Sequence, residues 1–230
     1  MSLQFIIGSS GIGKTHYACE QIIRESMENP QHLYYIIVPE QFTMQTQKNV
    51  VEMHPGKGIL NIDVLSFQRL AYRIFEETGG AREVLLDDTG KSMVLQKLVQ
   101  QHRKNLPYLG SQMNKPGYLD EVKSLISEFM QYDIREEELQ DMLGKTGEDS
   151  LLHMKMQDVG VLYQAFLQYL EGHYMTGEGV MDALKKAIPF SDKLKKSVLL
   201  LDGFTGFTPV QMNVIRELLA VCDQVLVTVT

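Results

Sequence analysis

The sequence predicts an α/β fold of the phosphate-loop NTPase type: a parallel sheet flanked by helices, with an inserted all-helical subdomain. Two observations carry this. Apolar strand-like runs alternate with helical patterns in the first third of the chain and return at its end, while residues 87–195 between them show helical spacing alone. Gly8-Ser9-Ser10-Gly11-Ile12-Gly13-Lys14-Thr15 spells G-x-x-x-x-G-K-[ST], placed between a strand-like run and a helix.

The elements follow in order. Leu3-Gln4-Phe5-Ile6-Ile7 reads as a strand, and 15–27 as a helix carrying Ala18, Ile22 and Ile23 on one face. Leu33-Tyr34-Tyr35-Ile36-Ile37-Val38, ended by Pro39, suits a strand buried on both faces. A helix over 42–53 meets the breakers Gly56 and Gly58, and 59–65 is a third strand. Ser66 is placed to cap a helix over 67–77 that Gly79-Gly80 stops. Amphipathic patterns then occupy 91–104, 119–132, 135–143 and 151–174, divided by loops with Gly110, Pro116 and Gly147, and a short helix spans 181–188. Strand signals return over 197–202 and 224–230, around a helix at 209–220. Residues 1–86 with 196–230 are therefore expected to form the NTPase core, and 87–195 the helical insertion. The last strand has no following helix to cover it, so the chain is expected to be part of a longer protein.

Composition narrows the class. Hydrophobic residues at 44% and charged residues at 22% are ordinary for a soluble globular protein. No apolar run approaches the roughly 18 residues that cross a membrane, so no membrane partner is expected. Residues 1–7 lack the basic start of a secretory signal. Cys19 and Cys222 are far apart and outside any C-x-x-C pattern, so they read as free thiols in a reducing cytoplasm. A net charge of −7 excludes nucleic-acid binding through the overall field, which leaves local patches or a partner protein. Lys185, Lys186, Lys193, Lys195 and Lys196 form one such patch, read as a solvated surface before the next strand.

The chemistry centres on the glycine loop. Gly8, Gly11 and Gly13, with Ser9, Ser10 and Ile12 between them, let backbone N–H groups close around phosphate oxygens at a helix N-terminus. Lys14 then reaches the β/γ-phosphates of ATP, and the Thr15 hydroxyl holds Mg²⁺. Asp202, ending the apolar run from Val198, fits the acid that orders the Mg²⁺ ion. Helicase-type ATPases follow that acid with a glutamate that activates water, whereas this chain has Gly203. A positioned base contributes roughly 10²–10⁴-fold in rate, so nucleotide binding with weak or no hydrolysis is expected, unless Glu40, Asp87 or Asp88 supplies the base.

Four segments carry a family resemblance: residues 8–15, Val38-Pro39-Glu40-Gln41-Phe42-Thr43, Val64-Leu65-Ser66-Phe67-Gln68-Arg69-Leu70-Ala71, and the stretch from Leu199 to Gln211 with Asp202-Gly203-Phe204-Thr205-Gly206-Phe207-Thr208-Pro209 at its centre. Over essentially its whole length the chain resembles the N-terminal part of AddB, the B component of bacterial AddAB-type helicase–nucleases. The resemblance implies a superfamily 1 helicase-like motor domain, largely inactive as a motor, in an enzyme that processes double-strand DNA ends for recombinational repair. It implies AddA, the A component, as heterodimer partner, DNA as substrate with a recombination hotspot sequence to be read, and a C-terminal nuclease domain with an iron–sulfur cluster. Neither the nuclease nor the cluster's cysteines lie in this chain. The loop residues and Asp202 match the family's nucleotide positions, but the catalytic Glu and the coupling Gln of active relatives are absent, with Gly203 and Thr205-Gly206 in their place. There is also no room before Leu3 for the upstream Gln that reads adenine. By the same resemblance Thr43, Ser66 and Phe67 fall on loops that touch single-stranded DNA, the hydroxyls on phosphate and Phe67 on a base; a helix cap at Ser66 and a core position for Phe67 are the competing roles. Two other readings stand beside this one: a stand-alone phosphate-loop kinase or ATPase with a helical substrate lid, and a structural domain whose loop is a relic.

Overall fold

The computed structural model describes residues 2–80, 83–112, 115, 117–147 and 150–229. Chain contacts divide it into two compact units, Met1–Ala81 with Val180–Thr230, and Arg82–Gly179. In chain order the elements are β1 (Ser2–Ile7), α1 (Lys14–Glu28), β2 (Leu33–Ile37), α2 (Thr43–Met53), β3 (Ile62–Leu65) and α3 (Phe67–Thr78). There follow β4 (Val84–Leu85), α4 (Asp88–His102), α5 (Leu109–Gln112), α6 (Tyr118–Gln131), α7 (Glu136–Gly144), α8 (Leu151–Leu170) and β5 (Tyr174–Met175). The last are α9 (Gly177–Ala187), β6 (Ser197–Leu201), α10 (Pro209–Val221) and β7 (Gln224–Val229).

The first unit is a five-stranded, all-parallel sheet in the order β1-β7-β6-β2-β3. The strands are apolar because parallel strands lie under helices on both faces. Side chains alternate, so Tyr34, Ile36, Val198, Leu200 and Leu226 pack with Ala18 and Ile22 of α1. Tyr35, Ile37, Leu199 and Leu201 are equally buried on the opposite face. Each fully buried Leu or Ile contributes about 1.5–3 kcal/mol. β1 is an edge strand, and its Leu3, Phe5 and Ile7 are exposed.

Local signals set the helix ends. The Ser66 hydroxyl accepts from Arg69 N–H at 3.3 Å, and α3 ends where Gly79 turns left-handed. Thr208 and Gln211 form a reciprocal capping box at α10, with Pro209 in its first turn. Glu77 ties down the segment before β6, accepting from the Ser191 hydroxyl at 2.6 Å and the Lys193 N–H at 3.0 Å.

The second unit is helical around Leu95, Ile126, Leu139, Leu162 and Phe166. Two charged groups are buried in it. Lys91 pairs with Glu178 at 3.0 Å and donates to Ser127 at 3.2 Å. Asp158, fully buried, accepts from the backbone N–H groups of Tyr108 and Leu109 at 2.9 and 2.7 Å. Burial pushes the Asp158 carboxyl above its ordinary value, and those two bonds offset part of the shift.

The structure corrects four expectations. The third strand begins at Ile62 rather than 59, because Lys57 takes a left-handed turn, Leu60 is exposed, and Asn61 donates its side-chain amide to Ser26 and His32 carbonyls instead. Gly110 lies in α5 rather than a loop; the buried Asp158 caps that turn across 49 residues, which no local pattern reveals. The helix over 151–174 stops at Leu170, and Gly172 then adopts a positive φ of 74°. Beyond it, Tyr174–Met175 pairs in parallel with Val84–Leu85, a two-stranded ribbon in a region read as helical. Pro116 and Thr230, assigned to a loop and to the last strand, lie outside the described residues.

Candidate functional site

At the C-terminal edge of the sheet, β1 runs into the glycine loop and then α1. Gly11 and Gly13 have φ of 79° and 97°, the left-handed region that only glycine enters without strain. Gly13 occupies the N-cap position, so α1 starts with no side-chain cap and no acid in its first turn. The first N–H groups of a helix have no partner within it, which makes this end suited to an anion. The Lys14 ammonium donates to the Gly8 and Ser9 carbonyls at 2.7 and 2.9 Å, folded over the loop that precedes it.

β6 delivers the second half. Val198 and Leu200 face α1, so the same parity turns Asp202 toward the start of that helix. The Thr15 hydroxyl donates to Asp202 Oδ1 at 3.1 Å, and the Thr228 hydroxyl donates to the same oxygen at 2.6 Å. Thr228 stands beside Asp202 because Leu201 and Val227 are in register. Asp202 is 4% exposed.

A cavity of about 690 Å³ opens over these groups. Its wall includes the loop residues Ser10, Gly11, Gly13, Lys14 and Thr15, then the segment from Asp202 to Thr205, and Thr228. Gly8, Ser9 and Ile12 belong to the loop but not to this wall. The far side is one face of α2, with Thr46, Asn49 and Glu52. Cys19, one turn below Thr15, lies in the floor; burial, then the Asp202 charge, pushes its thiol to about 12. Cys222 is also buried and free, with its thiol pushed to about 11 by burial. The arrangement combines a helix N-terminus, the Lys14 ammonium, the Thr15 hydroxyl and the Asp202 carboxylate, which together suit a polyphosphate with a divalent cation.

The remaining candidates are elsewhere. Glu40 faces Arg69 at 3.4 Å and is absent from the cavity wall. Asp87 caps α4, accepting from Gly90 N–H at 2.7 Å, and Asp88 lies 3.9 Å from Lys91; both belong to the second unit. Thr43 is buried, its hydroxyl donating to the Glu40 carbonyl at 2.9 Å. Ser66 is buried and occupied as the α3 cap, and Phe67 packs against Phe204 and Phe207 with ring centroids 5.5 and 6.4 Å away. Thus the loop, Asp202 and Gly203 come together, while Thr43, Ser66 and Phe67 are taken up inside the fold. Lys186, Lys193, Lys195 and Lys196 are exposed, and Lys195 pairs with Asp192 at 2.8 Å. Among the described residues no helix is long and apolar enough to cross a membrane, and no cluster of three or more His, Cys, Asp or Glu forms a metal site.

Sequence reasoning missed Thr228, Thr46, Asn49 and Glu52. Thr228 is detectable only through the strand register, since a threonine in a β-run carries no signal of its own.

Residues 5–230 match the family described as ADDB, N-terminal. Similar proteins include the ATP-dependent helicase/deoxyribonuclease B subunit of Lachnoclostridium phytofermentans, 46% identical over 230 residues, covering 100% of this chain and 20% of that protein. The proteins of the same name from Alkaliphilus metalliredigens and Desulforamulus reducens are each 33% identical, covering 100% and 98% of this chain and 20% of their own length. The chain therefore spans about a fifth of the relatives it matches, and it belongs to the AddB N-terminal family.

Proposed function

We propose that this chain is the N-terminal region of an AddB-type helicase–nuclease component, and that it binds Mg-ATP with weak or no hydrolysis. The observation that carries the reading is the Thr15–Asp202 hydrogen bond beside Lys14, in a cavity where Gly203 stands in place of an acid. On this reading residues 1–86 with 196–230 form a phosphate-loop NTPase core of superfamily 1 type, and 87–195 its helical insertion. In the first unit the backbone N–H groups of 11–15 hold phosphate oxygens. Lys14 leaves the Gly8 and Ser9 carbonyls for the β/γ-phosphates, exchanging one set of charge-assisted bonds for another. Thr15 and Asp202 hold Mg²⁺, which offsets phosphate charge when bound. Position 203 offers no side chain to take a proton from water.

The relatives' name, that of an ATP-dependent helicase/deoxyribonuclease component, supports a wider role in DNA-end processing for recombinational repair. There this region acts as a nucleotide-holding scaffold on DNA, beside a motor-bearing AddA-like partner. Thr43, Ser66 and Phe67 are 4–5% exposed, which supports a structural role for them rather than direct DNA contact.

A second reading, turnover with another base, rests on Glu52 in the cavity wall. Phosphate release separates the two. Turnover at background in wild type supports a holding site; robust turnover abolished by Glu52→Gln supports the second reading and overturns the first.

A further inference from the structure

Asp202 is held from three elements, by its backbone from one and by its carboxylate from two. Its N–H donates to the Ile37 carbonyl at 3.0 Å, extending the β6–β2 ladder. Thr15 approaches Oδ1 from α1 at 3.1 Å, and Thr228 from β7 at 2.6 Å. The Thr228 contact is the shorter of the two and is buried, with Thr228 8% and Asp202 4% exposed. A carboxylate accepts on two oxygens. Both hydroxyl donors take Oδ1, and the residue lines the cavity.

We infer that Thr228 is a positioning residue: its hydroxyl fixes the Asp202 carboxylate so that Oδ2 is presented to a divalent cation on the bound nucleotide. This rests on the Mg-nucleotide reading above and deepens it. The physical reason is orientation. Without a donor on β7, the carboxylate keeps only the longer bond from Thr15. Cation binding would take a lone pair of that hydroxyl and leave its O–H on Oδ1, so one long bond would have to orient the carboxylate alone. Thr228 sits on β7, an inner strand of the sheet, and adds a second, shorter bond to the same oxygen. Groups that orient a metal-binding carboxylate in this way typically contribute about 10–100-fold in metal affinity.

Thr228→Val removes the hydroxyl with little change of volume, and Thr228→Ser keeps it. ATP binding to each protein is measured by calorimetry with saturating Mg²⁺ and with EDTA, alongside thermal melts. The expected result is that Mg²⁺ tightens ATP binding to wild type. Thr228→Val then loses about 10–100-fold of that gain while its affinity in EDTA is unchanged, and Thr228→Ser keeps the gain. Three results overturn the inference alone: Thr228→Val retains the full Mg²⁺ gain, weakens equally with and without Mg²⁺, or is matched by Thr228→Ser. A wild-type protein whose ATP binding ignores Mg²⁺ also overturns it, while leaving ATP binding in place. A wild-type protein that binds no ATP in either condition overturns the nucleotide reading itself, and this inference with it.

Discussion

The Thr15 hydroxyl and the Asp202 carboxylate, 187 residues apart in the chain, meet at 3.1 Å. Two parallel strands bring them together, since β1 and β6 both end at the same edge of the sheet with β7 between them. On the proposed reading, the contact marks a cation position between a phosphate-binding loop and a strand that supplies charge. Thr15→Ser is expected to keep Mg²⁺-dependent ATP binding, and Thr15→Val to lose it while retaining its melting temperature within a few degrees. Equal affinities for the two variants in Mg²⁺ would remove Thr15 from the site.

Gly203 is more than a missing glutamate. Its φ is 77°, where an L-residue costs about 1–2 kcal/mol, although a Cβ there meets only Pro39 Cδ at an ordinary 3.6 Å. Space is available, and the backbone is what resists. Gly203→Glu is expected to lower Tm by about 2–8 °C, and Gly203→Asn by less, because asparagine tolerates this conformation. Thermal melts check this; an unchanged Tm in the glutamate variant would show that the loop relaxes freely.

The aromatic group of Phe67, Phe204 and Phe207 joins α3 to the loop after Asp202. Phe67 is 5% exposed, so Phe67→Ala is expected to cost about 3–5 kcal/mol in urea unfolding. Arg69→Ala, whose ion pair with Glu40 is exposed, is expected to cost under about 1 kcal/mol. A Phe67→Ala protein of wild-type stability would instead return Phe67 to the ligand-facing surface.

In the helical unit, Lys91→Met leaves Glu178 buried without its partner and is expected to cost about 3–5 kcal/mol. Adding Glu178→Leu is expected to recover most of it. Burial by itself raises the Glu178 carboxyl, but bonds from its own backbone N–H and from Lys91 carry it below its ordinary 4.5. A lowered carboxyl stabilises the fold above its unfolded value, and that contribution is lost as pH falls from about 4.5 through the folded value. Asp158 has the opposite sign: its raised carboxyl favours the fold below 3.8, and the advantage is lost as pH rises through the folded value. Urea midpoints across pH 3–7 are expected to show a shallower acid-side fall in Lys91→Met than in wild type, by the Glu178 share. An identical pH profile in wild type and variant would contradict this.

Much of this was legible in the sequence where the signal is local. The glycine loop, the Ser66 cap and the buried strands β2 and β6 are each set by residues within a few positions of one another. Long-range features were not. Asp158 capping α5, Tyr174–Met175 pairing with Val84–Leu85, and Thr228 holding Asp202 all depend on segments that only the fold brings together. Phe67 illustrates the middle ground: its position in the first turn of an amphipathic helix suits both a core and a contact residue, and packing against Phe204 decides.

Calorimetric titration of Mg-ATP into wild type and Lys14→Ala is the decisive measurement. One ATP per chain is expected in wild type, with affinity lowered at least about tenfold, or 1.4 kcal/mol, in Lys14→Ala at unchanged Tm. Equal affinity in both proteins, or no heat of binding in wild type, would contradict a nucleotide site at this loop.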